Sequence, residues 1–170
     1  RNVHAELSDL RLWRDRAVVL GFAALSGLAV VVFTLLADGA LELFLAQRAH
    51  RPWLALLWTP ALSALVVWAT RRWFAGAGGS GVPQVCVALD PRTEPQERGL
   101  FVSLRLSAAK TVAVTLGVLA GLSIGRQGPS VQVAAGVLYS ARRWLSPSPR
   151  ADLRDRELLV AGGAVGIAAA

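Results

Sequence analysis

Twenty-one consecutive residues from Ala17 to Ala37, AVVLGFAALSGLAVVVFTLLA, carry no charge. At 1.5 Å per residue such a run makes a helix about 31 Å long, enough to cross the hydrocarbon core of a bilayer. Lipid offers the backbone no hydrogen-bond partner, so a spanning segment must satisfy its own amides, and an isolated one does this as an α-helix. A second uncharged run, Pro52 to Thr70, has 19 residues and would reach about 28 Å, with Pro60 as an expected kink. Trp13, Trp53 and Trp73 stand at the ends of these runs, where an indole keeps its ring apolar and its N–H wet. The whole chain agrees: 54% of its 170 residues are apolar, about 63% with its 16 glycines, and 17% are charged, against about 45–50%, glycine included, and 25% in soluble domains. That excess excludes intrinsic disorder and makes an integral, multi-pass membrane protein the expectation.

The net charge is +7, which raises the possibility of a nucleic-acid partner. Its distribution argues against one. Arg11, Arg14 and Arg16 precede the first span, Arg71 and Arg72 follow the second, and Arg142 and Arg143 follow a later apolar run. This is the flanking pattern of membrane spans. Between the two spans Asp38 and Glu42 oppose Arg48 and Arg51, which reads as a nearly neutral linker. The positive-inside rule then puts the N-terminus in the cytoplasm and makes a helical hairpin of residues 17–70. One cysteine, Cys86, and two histidines, His4 and His50, leave too few soft or imidazole ligands for a transition-metal site or dithiol redox chemistry. No metal and no cofactor are expected. His50 reads as an interfacial polar residue. Methionine is absent and the sequence stops at Ala170 inside an apolar run, so the expectation is the first portion of one transmembrane domain, with no separate soluble domain.

Beyond Arg72 the apolar runs shorten. Val82–Leu89, Thr111–Gly125 and Gly128–Ala141 are each too short to span alone, although Leu106–Gly125 would reach about 30 Å if Lys110 snorkelled to one surface. Interrupted helices are tolerated at membrane depth where their exposed backbone lines a cavity or is buried in protein. In transporters they point to the substrate site. Asp90–Gly99 and Ser146–Arg156 read as polar connections, the second leading into a helix that starts near Asp152. The small residues of AGGAVGIAAA suit close helix packing.

Two motifs imitate enzymes. Gly76, Gly78 and Gly81 satisfy the dinucleotide pattern G-x-G-x-x-G, but an arginine-flanked span precedes them, Pro83 follows, and Glu94 and Glu97 lie in a linker without a second strand. Gly121, Ser123 and Gly125 match a nucleophile elbow, yet no histidine follows His50 in the chain to act as base. Ser123 reads instead as a small polar residue of a membrane helix, Thr111 and Thr115 as bonded to helix carbonyls, and Tyr139 as a packing anchor. No enzyme is expected.

Gly79-Ser80-Gly81-Val82-Pro83 and Gly125-Arg126-Gln127-Gly128-Pro129 share one design. Glycines expose backbone N–H groups, and Pro83 and Pro129 each suit the first position of a helix, N1, where an N–H has no intrahelical partner. A helix start carries unpaired amides and roughly half a positive charge, so it attracts anions. Ser80 adds a hydroxyl donor. Two such starts on short helices can dehydrate a small anion without a fixed counter-charge gripping it too hard, as permeation requires.

At these residues the sequence resembles the CLC family of chloride channels and proton-coupled chloride exchangers. GSGVPQV from Gly79 resembles that family's GSGIP signature, and GRQGPSVQ from Gly125 to Gln132 is similar to GREGPxVQ. Lys110 stands 17 residues before Gln127, where the family carries a lysine, and AGGAVGIAAA resembles the segment leading to AAxFNAP. The resemblance implies an all-α, inverted-repeat membrane fold with short, tilted, interrupted helices, working as a homodimer with one anion pathway per subunit. It makes Ser80 the donor to a central chloride, with Gly81, Val82, Arg126, Gln127 and Gly128 along the path and Arg126 raising the local positive potential. A tyrosine and a GxFxP turn from the second half would complete the site.

One residue departs from the signature. The family's gating glutamate is Gln127 here. An amide has nearly the shape of a carboxyl but no charge to compete with chloride and no proton to exchange. The expectation is chloride movement with weak or absent proton coupling; the alternatives are a proton-coupled exchanger with an altered gate and a membrane domain that transports nothing.

Overall fold

The computed structural model describes residues 10–147 and 151–170. His4, the expected cytoplasmic N-terminus and part of the Ser146–Arg156 connection lie outside them. Among the described residues six α-helices follow one another: α1 (Leu10–His50), α2 (Pro52–Trp73), α3 (Val82–Leu89), α4 (Leu104–Leu119), α5 (Gln127–Tyr139) and α6 (Ala151–Ala168), with short 3₁₀ turns at Ala75–Ala77, Glu97–Leu100 and Ser140–Arg143. There is no strand among the described residues, so the dinucleotide motif lacks the β-strand it needs.

The expected linker between the first two spans does not exist as a loop. α1 runs unbroken for 41 residues, about 61 Å. The segment from Asp38 to His50 holds good helix formers and no proline, and the chain breaks only where Pro52 withdraws its N–H and crowds the preceding turn. The charged residues there belong to a helix face, not to a connection. The hairpin itself stands, turned at Arg51 alone, and Pro60 lies within a continuous α2. α2 has no buried residue. A helix apolar all round and uncovered by its own chain is one built to meet lipid or further protein.

α5 is the opposite case. Every residue from Pro129 to Tyr139 is buried, with α1, α3, α4 and α6 packed around it. One core cluster joins Val85 and Ala88 of α3 to Val131, Ala135 and Tyr139 of α5 and Leu159 of α6. The small residues of α6 permit this closeness: a Cβ on Gly162 would come within 2.6 Å of the Ala135 Cα, and one on Gly166 within 2.6 Å of the Ser130 carbonyl oxygen. Far along α1, Phe33 and Ala40 pack on Val114 and Val118 of α4.

α4 ends earlier than its apolar run. It stops at Leu119, and Gly121 turns the chain at φ 89°, its Cα lying against the Phe44 ring where no Cβ would fit. Ser123 consequently sits in non-helical chain rather than in a membrane helix. Thr111 donates to the Ser107 carbonyl at 3.0 Å as expected, whereas the buried Thr115 hydroxyl has no partner among the described residues.

Candidate functional site

The loop before α3 is set by glycine backbone. Gly79 and Gly81 adopt φ of 75° and 109°, a region that a side chain disfavours. Gln84, in the first turn of α3, ties the loop down: its Oε1 accepts from the Gly81 N–H at 3.0 Å, and its Nε2 donates to the Gly78 carbonyl. From below, Lys110 of α4 reaches the same loop, its Nζ donating to the carbonyls of Ala77, at 2.9 Å, and Gly79. Lys110 is 2% exposed. It does not snorkel to a surface as its sequence position suggests. Loop carbonyls that turn away from helical pairing supply inward acceptors, and these offset the cost of the buried ammonium.

The loop before α5 meets this one directly. A Cβ on Gly81 would lie 2.5 Å from the Gly128 carbonyl oxygen, and a Cβ on Gly128 2.5 Å from the Ser80 carbonyl oxygen. The glycines of the two signatures are therefore each other's packing surface. Gln132, one turn into α5, donates from Nε2 to the carbonyls of Gly76 and Phe101, both at 2.9 Å, and fastens α5 beneath the first loop.

The prolines are shifted from the expected N1 positions: Pro83 stands second in α3 and Pro129 third in α5. Both places still fall among the first four residues, whose N–H groups have no intrahelical acceptor, so a missing N–H costs nothing there. Ser130 donates back to the Arg126 carbonyl at 3.0 Å and begins the ladder. Among the described residues no acceptor meets the N–H of Gln127 or Gly128.

A cleft of about 1140 Å³ opens at this junction. Ser80, Arg126, Gln127, Gly128 and Pro129 line it, with Lys110 at its floor and Thr70 and Arg71 of α2 on another wall. Gly81, Val82 and Pro83 do not line it. Gly81 is buried under Gly128 with its N–H engaged by Gln84, while Val82 and Pro83 are exposed elsewhere. The chain segment 122–125, with Ser123, also reaches the cleft wall.

Arg126 is not a free positive charge. Its Nη2 lies 2.5 Å from the Asp38 carboxylate of α1. The sequence gives no sign of this pair, because 88 positions separate the partners and Asp38 looks like a linker residue. Arg71 is the other arginine on the cleft, expected only as a membrane flank. The sequence pattern gives Lys110 a place in the motif set but not its inward course.

Among the described residues, three apolar helical segments long enough to cross a membrane and a cleft built on two touching glycine loops define an integral membrane protein with a polar site at its broken helices. The chain belongs to the voltage gated chloride channel family, whose pattern residues 62–170 match. Over 131 residues, 74% of this chain, it is 35% identical to the H(+)/Cl(-) exchange transporter ClcA of Cronobacter sakazakii. Over 93 residues, 55% of the chain, it is 32% identical to an uncharacterized chloride channel protein of Schizosaccharomyces pombe, and over 130 residues, 75% of the chain, 28% identical to an anion/proton exchange transporter of Saccharomyces cerevisiae. The matches cover 26%, 13% and 16% of those proteins, so the chain corresponds to about a quarter or less of each. The relatives are channels and transporters rather than enzymes. No solved structure matches the chain.

Proposed function

We propose that this chain forms the first portion of a homodimeric transmembrane domain that moves chloride or a similar small anion, with its arginine-rich face in the cytoplasm. The observation that carries the reading is the wall on which Ser80, Gln127 and Gly128 stand together, with two backbone N–H groups that meet no acceptor among the described residues. Such donors replace part of an anion's hydration without a full opposite charge, so binding stays weak enough for release. Arg71 at the cleft supplies long-range attraction, while Asp38 moderates Arg126. The pathway needs chain beyond the described cleft, since the family resemblance assigns part of the ion site to a second half.

Gln127 sets the mode. Its amide can rest at the anion site but cannot titrate, so anion movement proceeds without obligatory proton exchange. The second reading, exchange with an altered gate, is favoured by the two relatives named as proton-coupled exchangers. One experiment separates them. The full-length protein is reconstituted in liposomes under opposed chloride and pH gradients, and the reversal potential is recorded. A potential that follows chloride alone supports uncoupled movement. One that follows both gradients establishes exchange, and absence of any chloride-dependent potential removes the transport reading.

A further inference from the structure

The start of α1 meets two later basic segments. Arg14 donates to the Ser146 hydroxyl at 2.6 Å, the Ser146 N–H donates to the Asp15 carboxylate at 3.2 Å, and Arg154 of α6 donates to the Ser146 carbonyl at 2.6 Å. The knot brings Arg14 and Arg154 together on Ser146 at the start of α1, with Arg16 close by on the same helix. The indoles of Trp13 and Trp144 are exposed at the same end, as in the headgroup belt of a bilayer.

Beside the knot lies a groove of about 410 Å³ formed by Leu12, Arg16, Val19 and Leu20 of α1, Leu145 and Arg154. Its composition is graded. Arg16 is the last charge before the 21-residue uncharged run, and Leu20 is one turn deeper on the same face. The groove therefore passes from a cationic mouth to an apolar wall at the depth where water gives way to hydrocarbon. Asp15 also faces it, but Ser146 and Arg14 occupy its carboxylate. Arg16 stacks 5.6 Å from the Trp13 ring centre and forms no ion pair among the described residues. A cationic mouth above an apolar wall on a spanning helix complements a molecule that is anionic at one end and aliphatic along its length.

We propose that this groove binds an anionic phospholipid, with the headgroup phosphate between Arg16 and Arg154 and an acyl chain along Val19, Leu20 and Leu145. A soluble phosphate would leave the apolar wall unused, and a zwitterionic lipid would bring its own cation to the arginines.

The test is native mass spectrometry on the delipidated full-length protein, with phosphatidylglycerol or phosphatidylcholine of identical chains added. Phosphatidylglycerol should be retained preferentially. Arg16→Gln should lower that retention about fivefold, the factor for one arginine near an anionic lipid surface, while Arg16→Lys keeps most of it and Arg72→Gln, outside the groove, changes nothing. Equal retention of the two lipids, or an equal loss in Arg72→Gln, overturns the proposal, as does inorganic phosphate alone displacing the lipid. Accessibility gives a second readout: Leu20→Cys in a Cys86→Ser background should be protected from a lipid-soluble maleimide in proportion to the phosphatidylglycerol fraction of liposomes. Protection independent of lipid composition would mean that polypeptide fills the groove, and would also overturn it.

Discussion

At Gln127 the proposed mode of anion movement turns on a single functional group, an amide where the family signature has a carboxyl. The residue stands on the cleft wall beside an N–H with no acceptor among the described residues, so a carboxylate introduced there would compete with a permeating anion and take up protons when displaced. Gln127→Glu is expected to make chloride flux pH-dependent, higher in acid than at neutral pH, and the native protein to show little dependence; flux assays across a pH series in liposomes check both. Asp38 offers the complementary change. Its carboxylate at 2.5 Å from Arg126 holds a cation at the cleft nearly neutral, and Asp38→Asn frees that charge. Chloride flux should rise severalfold at low ionic strength, the gain shrinking in salt as the Debye length falls to roughly 8 Å at physiological strength. An increase that is insensitive to salt would contradict the electrostatic account.

At the scale of elements, the α5–α6 contact decides how the cleft is held. Gly162 and Gly166 face backbone atoms of α5 at distances a methyl group cannot share, while a methyl on Gly163 would meet only a Val131 side-chain carbon at 3.7 Å, an ordinary contact. Gly166→Ala must push α6 away from the buried Pro129–Tyr139 stretch of α5, and about 1–3 kcal/mol of destabilisation is expected. Gly163→Ala should be neutral or stabilise by about 0.5–1 kcal/mol through helix propensity. Denaturation of both variants in detergent checks the contrast, and equal effects would refute the packing explanation. Because α5 carries Gln127 at its start, the first variant should also weaken anion flux, and the second should not.

Across the whole molecule, the 3₁₀ turn at Glu97–Leu100 is joined to the start of α6 by Arg98 and Asp152. Arg98 is fully buried and donates to the Asp152 carboxylate at 2.6 Å. That hydrogen bond above all, with the charges of Arg98 and Arg156, holds the Asp152 carboxyl below its ordinary value of 3.8. A carboxyl whose folded pKa is depressed contributes its full stability above the unfolded value and loses it as pH falls through the folded one. The melting temperature in detergent should therefore fall on acidification below about pH 4, with Asp152→Asn removing part of that slope. A slope unchanged by Asp152→Asn would assign acid sensitivity to other carboxylates.

Much of this was legible in the residues. Uncharged runs fix helices in lipid because the backbone has no other partner there, and the glycine and proline signatures mark α3 and α5 because few other residues suit those turns. The limits of α3, Val82–Leu89, coincide with its apolar run. The helical continuation through Asp38 was not legible, because charge in a linear string looks the same on a helix face as in a loop. The inward course of Lys110, the Asp38–Arg126 pair and the contact between Gly81 and Gly128 were equally hidden. Each depends on groups from separate helices arriving within a few ångströms, and interactions at that range vary steeply with distance and desolvation. The sequence by itself thus determined the membrane class, the family and the two donor turns. Only the tertiary structure decided which donors remain free and which charges are cancelled, since those follow from the packing of distant segments rather than from the order of residues.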